Sequence, residues 1–176
     1  MDERQRTILN RMAAARTRKP GSGDAVPPRQ VRFPMSHSMG LLWVRDCDAD
    51  SYTFWESWGD AQGIATVPAG KELRLNVTPQ ASTDLSPLAA LQPDDLQYLQ
   101  LSSTRVNNAG LAHLRRLTGL RVLWLYDTQV SDAGLVHLQG LSGLRILNLR
   151  STLVTRAGVD ALQEILPQCE FRRAWK

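Results

Sequence analysis

The sequence predicts an α/β chain whose short strand-and-helix units stack side by side into a solenoid, with a parallel sheet on one side and helices on the other. Three observations carry that expectation. They are a self-similarity at a fixed shift, a change of apolar period inside each copy, and terminal segments suited to capping a stack. Three blocks align at a shift of 24 residues: LQYLQLSSTRVNNAGLAHLRRLTG from Leu96, LRVLWLYDTQVSDAGLVHLQGLSG from Leu120 and LRILNLRSTLVTRAGVDALQEILP from Leu144. Ten columns recur. Leucine fills Leu96/Leu120/Leu144, Leu99/Leu123/Leu147 and Leu101/Leu125/Leu149, followed by Thr104/Thr128/Thr152, Val106/Val130/Val154, Ala109/Ala133/Ala157 and Gly110/Gly134/Gly158. Leu111/Leu135/Val159, Leu114/Leu138/Leu162 and Leu117/Leu141/Ile165 complete the set.

Within a block, Leu99 and Leu101 alternate with period 2, as in a strand, whereas Leu111, Leu114 and Leu117 recur every three residues, as on one face of a short helix. A strand and a helix in 24 residues cannot bury their own apolar sides, so copies must stack to share a core. A weaker first unit aligns at a shift of 26 through Leu73, Leu75, Thr78, Leu85, Leu88 and Leu91. Its two extra residues are assigned to the turn Gln92-Pro93-Asp94-Asp95.

These blocks resemble the leucine-rich repeat family in its 24-residue, bacterial-type, ribonuclease-inhibitor-like variety, written L-x-x-L-x-L-x-x-T-x-V-x-x-A-G-L-x-x-L. The likeness covers residues 96–166 strongly and 70–95 weakly. It implies a short leucine-rich-repeat solenoid with a parallel concave sheet and convex helices. The motif specifies fold and says little of the partner. Asn107-Asn108 and Thr155-Arg156 depart from the Ser131-Asp132 of the middle unit and are expected to loosen those loops.

The recurring columns have structural readings. Thr104, Thr128 and Thr152 can satisfy backbone groups where the chain leaves each strand. Gly110, Gly134 and Gly158 stand at the helix entries, where a side chain would crowd the neighbouring unit. At the C-terminus, Ile165-Leu166-Pro167 ends the last helix, and Cys169-Glu170-Phe171 reads as a cap strand with Cys169 and Phe171 inward. At the N-terminus, Gly40–Val44, Tyr52–Trp55 and Gly63–Val67 read as strands of a β cap, with Trp43, Trp55 and Trp58 closing the open end of the core.

Charge marks a further boundary. Of 21 basic and 17 acidic side chains, eight basic and three acidic fall in residues 1–33, which leaves the rest nearly balanced at 13 against 14. The high pI belongs to that segment. Its second half is a Pro- and Gly-rich linker, and Ile8, Leu9 and Met12 share too narrow a stripe to hold a helix alone. The segment reads as a disordered arm, as a helix docked on a partner, or as an electrostatic arm for nucleic acid or anionic lipid; its lack of aromatics weighs against base stacking. The organisation expected is a basic flexible arm and linker over 1–36, an N-terminal β cap over 37–69, and the solenoid with its C-terminal cap strand over 70–176.

Function is sought on the concave strand positions. The columns read there are Glu72, Tyr98, Val122, Ile146; then Arg74, Gln100, Trp124, Asn148, Glu170; then Asn76, Ser102, Tyr126, Arg150, Arg172. Val122, Trp124 and Tyr126 fall on one strand, flanked by Tyr98, Ile146, Asn148 and Arg150, and an aromatic anchor with a polar rim is the anatomy of an interface. The competing reading is cross-strand packing that only stabilises the sheet.

Other chemistry is not expected. His113 and His137 share a helix position but have no third ligand at metal spacing. Asp46–Asp50 starts like a calcium loop, yet Ser51 and Ser57 replace its glycine and glutamate, so it reads as an acidic turn. No nucleophile, base and orienter assemble, and no Gly-rich phosphate loop follows a strand, so neither an enzyme nor a cofactor or metal is expected. Two cysteines are too few for a disulfide scaffold, and Cys47 and Cys169 fall in opposite caps. No apolar run nears the ~18 residues of a membrane span, and no apolar leader follows the first residues, so a soluble cytoplasmic chain is expected. The expected function is non-enzymatic binding of a protein or peptide on the concave aromatic face. The alternatives are nucleic-acid or anionic-surface binding through the arm, and self-association.

Overall fold

The computed structural model of the chain describes residues 28–47 and 55–173. Its strands are β1 Arg29–Arg32, β2 Gly40–Asp46, β3 Glu56–Asp60, β4 Ile64–Val67, β5 Lys71–Val77, β6 Tyr98–Gln100, β7 Val122–Trp124, β8 Ile146–Asn148 and β9 Glu170–Arg172. The helices are α1 Asn108–Leu111, α2 Asp132–Leu135 and α3 Arg156–Ile165. One row of side chains organises the sheet. Leu42 of β2 lies opposite Leu75, which neighbours Leu99, then Leu123, Leu147 and Phe171 across five further strands. All five leucines are at most 1% exposed. Because successive strand side chains point to opposite faces, burying this row commits the residues on either side of it to the outer face.

The expected leucine-rich-repeat solenoid, a parallel sheet backed by convex helices, is corrected by this architecture. The main sheet has seven strands in the order β3-β2-β5-β6-β7-β8-β9 and is mixed: β3, β2 and β5 run antiparallel, and only β5 to β9 are parallel. Helix is scarce. α1 and α2 are single turns of four residues, and the return after β5 is two short 3-10 turns, Ala81–Thr83 and Ser86–Ala90. Sequence explains part of the contrast with the ten-residue α3, Arg156–Ile165. The second block has Gly140 where the third has Glu164, and Gln163-Glu164-Ile165 continues with good helix formers until Pro167, whereas the Arg115-Arg116-Leu117 of the first block holds no helix breaker and does not account for the short α1.

The weak first unit is also in a different register from the one expected. Its return leucines, Leu85, Leu88 and Leu91, keep the 26-residue spacing, but its strand pairs at 24, with Arg74 beside Tyr98 and Asn76 beside Gln100. The surplus is absorbed in the turn Gln92–Asp95, where the Asp95 carboxylate accepts from the Gln92 amide at 2.8 Å. Beyond it, the Gln97 side chain accepts from the Leu73 amide at 2.9 Å and restores the pairing.

Adjacent blocks are tied by more than the sheet. Thr104, Thr128 and Thr152 each donate to the carbonyl three residues back, Leu101, Leu125 and Leu149, at 2.5–2.7 Å. Ser103, Asp127 and Ser151 all adopt a left-handed conformation at φ 54–55°, which short polar side chains tolerate. The departures at Asn108 and Thr155 do not loosen their loops. Asn108 donates to Ser131 Oγ at 2.8 Å and accepts from its amide at 2.9 Å, and Asp132 accepts from the Thr155 amide and hydroxyl at 2.7 and 2.6 Å. These links require the close approach at Gly134 and Gly158. A Cβ there would lie 2.6 Å from Asn108 Oδ1 and 2.2 Å from Asp132 Oδ1, whereas one at Gly110 would make ordinary contacts.

At the N-terminal end, two expectations change. β1 falls inside the stretch assigned to a flexible arm, pairs antiparallel with β4, and buries Val31 and Phe33, because these apolar residues find a core face that composition alone does not reveal. Residues 1–27 of that arm lie outside the described residues. The 37–69 segment is not a separate cap: β2 and β3 extend the main sheet, with β3 displaced past the expected strand at Tyr52–Trp55, of which residues 52–54 lie outside the described residues. The core's open end is closed by Val31, Phe33, Met39, Ala61 and Val67 rather than by tryptophans; Trp58 is 41% exposed, and Trp43 and Trp55 are half-buried. Gly40, at φ +146°, allows this crossing, since a Cβ would lie 1.9 Å from the Asn76 carbonyl oxygen. No helix among the described residues is long and apolar enough to cross a membrane.

Two outcomes follow. Leu123→Ala is expected to cost about 2–5 kcal/mol by urea denaturation, whereas Leu153→Ala, on a side chain 67% exposed, should stay within about 0.5 kcal/mol. Burial pushes the Cys169 thiol from 9.0 up to about 11. A thiol that ionises more readily in the unfolded chain stabilises the fold fully below pH 9, and that contribution is lost as pH rises from 9 to about 11. Urea midpoints of the native chain should therefore fall across that window more steeply than those of Cys169→Ala.

Candidate interaction surface on the outer face of the sheet

The strand register sets two rows on the face turned away from the core. One runs Trp43, Arg74, Tyr98, Val122, Ile146, Glu170; the other runs Leu41, Asn76, Gln100, Trp124, Asn148, Arg172. The expected columns are thus corrected by two residues at both edges. Arg74 rather than Glu72 accompanies Tyr98, and Glu170 accompanies Ile146 rather than Asn148. Both errors share a cause, since a slip of one strand by two residues keeps every side chain on its face and leaves no hydrophobic signature.

Beside these rows, Arg45 of β2 lies opposite Glu72 of β5. Glu72 is 1% exposed, an expensive place for a carboxylate unless both oxygens are satisfied. They are. Arg45 Nε donates to Oε2 at 2.8 Å, and Arg121 Nη1 donates to Oε1 from the entry to β7. Arg45 Nη2 also donates to the Tyr98 hydroxyl. The Arg45 guanidinium lies 4.8 Å from the centre of the Trp55 ring and 4.5 Å from that of Tyr98, and the two rings meet edge to face at 4.6 Å. Burial, then the nearby Glu72 charge, pushes the Tyr98 phenol above its ordinary value.

Arg74 continues the cluster toward β7. Its guanidinium is 5.9 Å from both the Trp55 and the Trp124 ring centres, and its Nε donates to Asn76 Oδ1 at 2.6 Å. Burial holds it below the usual arginine value. The Nε1 groups of Trp43 and Trp124 are buried and have no hydrogen-bond acceptor among the described residues.

The predicted site residues separate into three groups. Tyr98 is engaged by Arg45 and belongs to the internal cluster. Val122 is only 7% exposed, so its expected place in an open apolar patch is corrected: it is covered in the middle of its row. Trp124, Ile146 and Asn148 are half-buried, while Tyr126 at 43% and Arg150 stand exposed where β7 and β8 end. The structure adds Arg45, Trp55 and Arg121, which sequence reasoning left out of the site. Arg45 was legible, since Leu42 and Val44 turn inward and place Trp43 and Arg45 outside. Trp55 and Arg121 were not, because both act from strand edges across non-local pairings.

Away from this face, His137 Nδ1 accepts from Arg115 Nε at 3.1 Å, and burial followed by the Arg115 charge holds the imidazole below its ordinary value. No group of three or more His, Cys, Asp or Glu among the described residues is placed to hold a metal ion. Asp46, at the start of the acidic turn, pairs with Lys71 at 2.9 Å, and residues 48–50 of that turn lie outside the described residues. Comparison with protein-family models finds no match, and comparison with curated proteins likewise finds none.

Glu72→Gln removes both ion pairs and leaves Arg45 buried beside a neutral group. It is expected to cost about 3–5 kcal/mol in urea denaturation. Arg121→Gln, whose own side chain is 52% exposed but which leaves one oxygen of the buried Glu72 carboxylate without its cation, should cost about 1–3 kcal/mol, less than Glu72→Gln.

Proposed function

We propose that this chain is a non-enzymatic binding module that takes a protein or peptide across the outer face of its mixed sheet. The observation that carries this reading is a run of aromatic and aliphatic groups left partly open on that face. Half-buried Trp124 and Ile146 and 43%-exposed Tyr126 lie together on β7, β8 and the residues just after β7, and Leu41, 47% exposed, opens the same face three strands away, beyond Asn76 and Gln100. Tryptophan, tyrosine and arginine dominate binding energy where they sit in partly desolvated surroundings with a polar rim. Asn76, Gln100, Asn148 and Arg150 supply such a rim.

A cytoplasmic setting belongs to the same proposal, supported by the reduced, buried Cys169 thiol. Kinship with leucine-rich repeat proteins is likewise a proposal. It is carried by the ten recurring columns alone, since the fold they imply is not the one observed.

The test is a screen of the folded chain against a mixed library of short linear peptides with blocked ends. Trp124→Ala is expected to weaken the selected binders by about 2 kcal/mol or more while leaving the circular dichroism spectrum unchanged. Selected peptides that bind Trp124→Ala and the native chain equally would place recognition elsewhere.

A further inference from the structure

On the outer face, three of the four guanidinium groups tied to the rows and the buried cluster are already occupied. Arg45 and Arg121 hold Glu72, and Arg172 holds Glu170 at 3.0 Å. Arg74 is the exception. It is half-buried between the Trp55 and Trp124 rings, its Nε is spent on Asn76, and no carboxylate among the described residues pairs with it. Two unpartnered indole donors lie nearby. Trp43, its register neighbour on β2, and Trp124, whose ring it faces, each keep a buried Nε1–H with no partner among the described residues. Arginine and the indole N–H can only donate. The Nη groups of a half-buried guanidinium with no carboxylate partner are free to take an acceptor from outside, and the planar guanidinium fork matches a carboxylate.

We infer that the Arg74 position receives an aspartate or glutamate side chain of the bound partner, so that the module selects acidic peptide segments. This rests on the outer-face reading above and names the chemistry of its ligand. A side chain is favoured over a chain terminus by the second cation. Arg150, exposed and without a carboxylate partner among the described residues, follows β8 roughly 19 Å from Arg74, at ~4.8 Å per strand and ~3.3 Å per residue. One terminal carboxylate cannot meet both, whereas an extended acidic segment can. Single-stranded nucleic acid is the less favoured ligand. It would stack bases on open ring faces, but the Trp55 and Tyr98 rings already carry guanidinium groups.

The experiment uses the full chain and the blocked-end peptide library described above. Expected is enrichment of Asp and Glu among the selected peptides. Replacing the key Glu by Gln in a selected peptide should lower affinity for the native chain by at least about tenfold. Arg74→Gln should abolish that discrimination while retaining the residual binding, and Arg74→Lys should recover part of it. The Glu-to-Gln comparison needs no protein variant, so it decides the matter even if Arg74→Gln fails to fold. Peptides that bind in a Trp124-dependent way with no acidic preference overturn this inference and leave the outer-face reading standing. No peptide binding at all removes both. A free-acid C-terminus required in place of an acidic side chain, or a mixed-sequence single-stranded oligonucleotide binding more tightly than any acidic peptide, also overturns it.

Discussion

The buried row from Leu42 through Leu75, Leu99, Leu123 and Leu147 is the constraint from which the rest follows. Each of its members is tied to its neighbours by main-chain pairing and excluded from water on one side, so no strand can rotate without exposing a leucine. A slip of one residue would turn the whole row outward. With one face committed, Trp43, Arg45, Glu72, Arg74, Tyr98 and Trp124 have nowhere to lie but the other. The polar character of the outer face is a consequence of the apolar character of the inner one.

That outer face contains a conflict that the chain resolves locally. A carboxylate as buried as Glu72 would be neutralised or expelled without compensation. Arg45 and Arg121 meet both of its oxygens, and the Tyr98 hydroxyl and the Trp55 ring take up the remaining surface of Arg45. The arrangement sits where antiparallel β2 joins the parallel strands. It links three elements distant in sequence, tying β2 to β5 and β5 to the entry of β7. The cluster then passes into Arg74 and Trp124, where compensation stops and unsatisfied donors begin. The aromatic and guanidinium groups thus form one continuous set from Trp55 and Arg45 to Trp124.

The returns between strands show how little helix the periodicity demands. Leucine every three residues suits a 3-10 turn as well as one face of an α-helix, and Gly140 favours the shorter form in the second block. The returns bury Leu111, Leu114, Leu117, Leu135, Leu138 and Leu141 in the shared core, and side chains also reach between blocks, Asn108 to Ser131 and Asp132 to Thr155. The close approach at Gly134 and Gly158 is what lets those hydrogen bonds form.

Local pattern alone located β6, β7 and β8, the inward leucines and the threonine hydroxyls that close each strand exit, because period-2 and 24-residue repeats are written in neighbouring residues. It also brought Tyr98, Trp124 and Tyr126 to notice as outward groups. It did not reveal the mixed sheet, the strand at Arg29–Arg32, the single-turn returns, or the covering of Val122. Those depend on antiparallel pairing between segments that share no pattern, and on two-residue shifts that leave every side chain on its own face. Arg45, Glu72 and Arg121 lie far apart along the chain, and only folding brings these opposite charges within hydrogen-bonding distance.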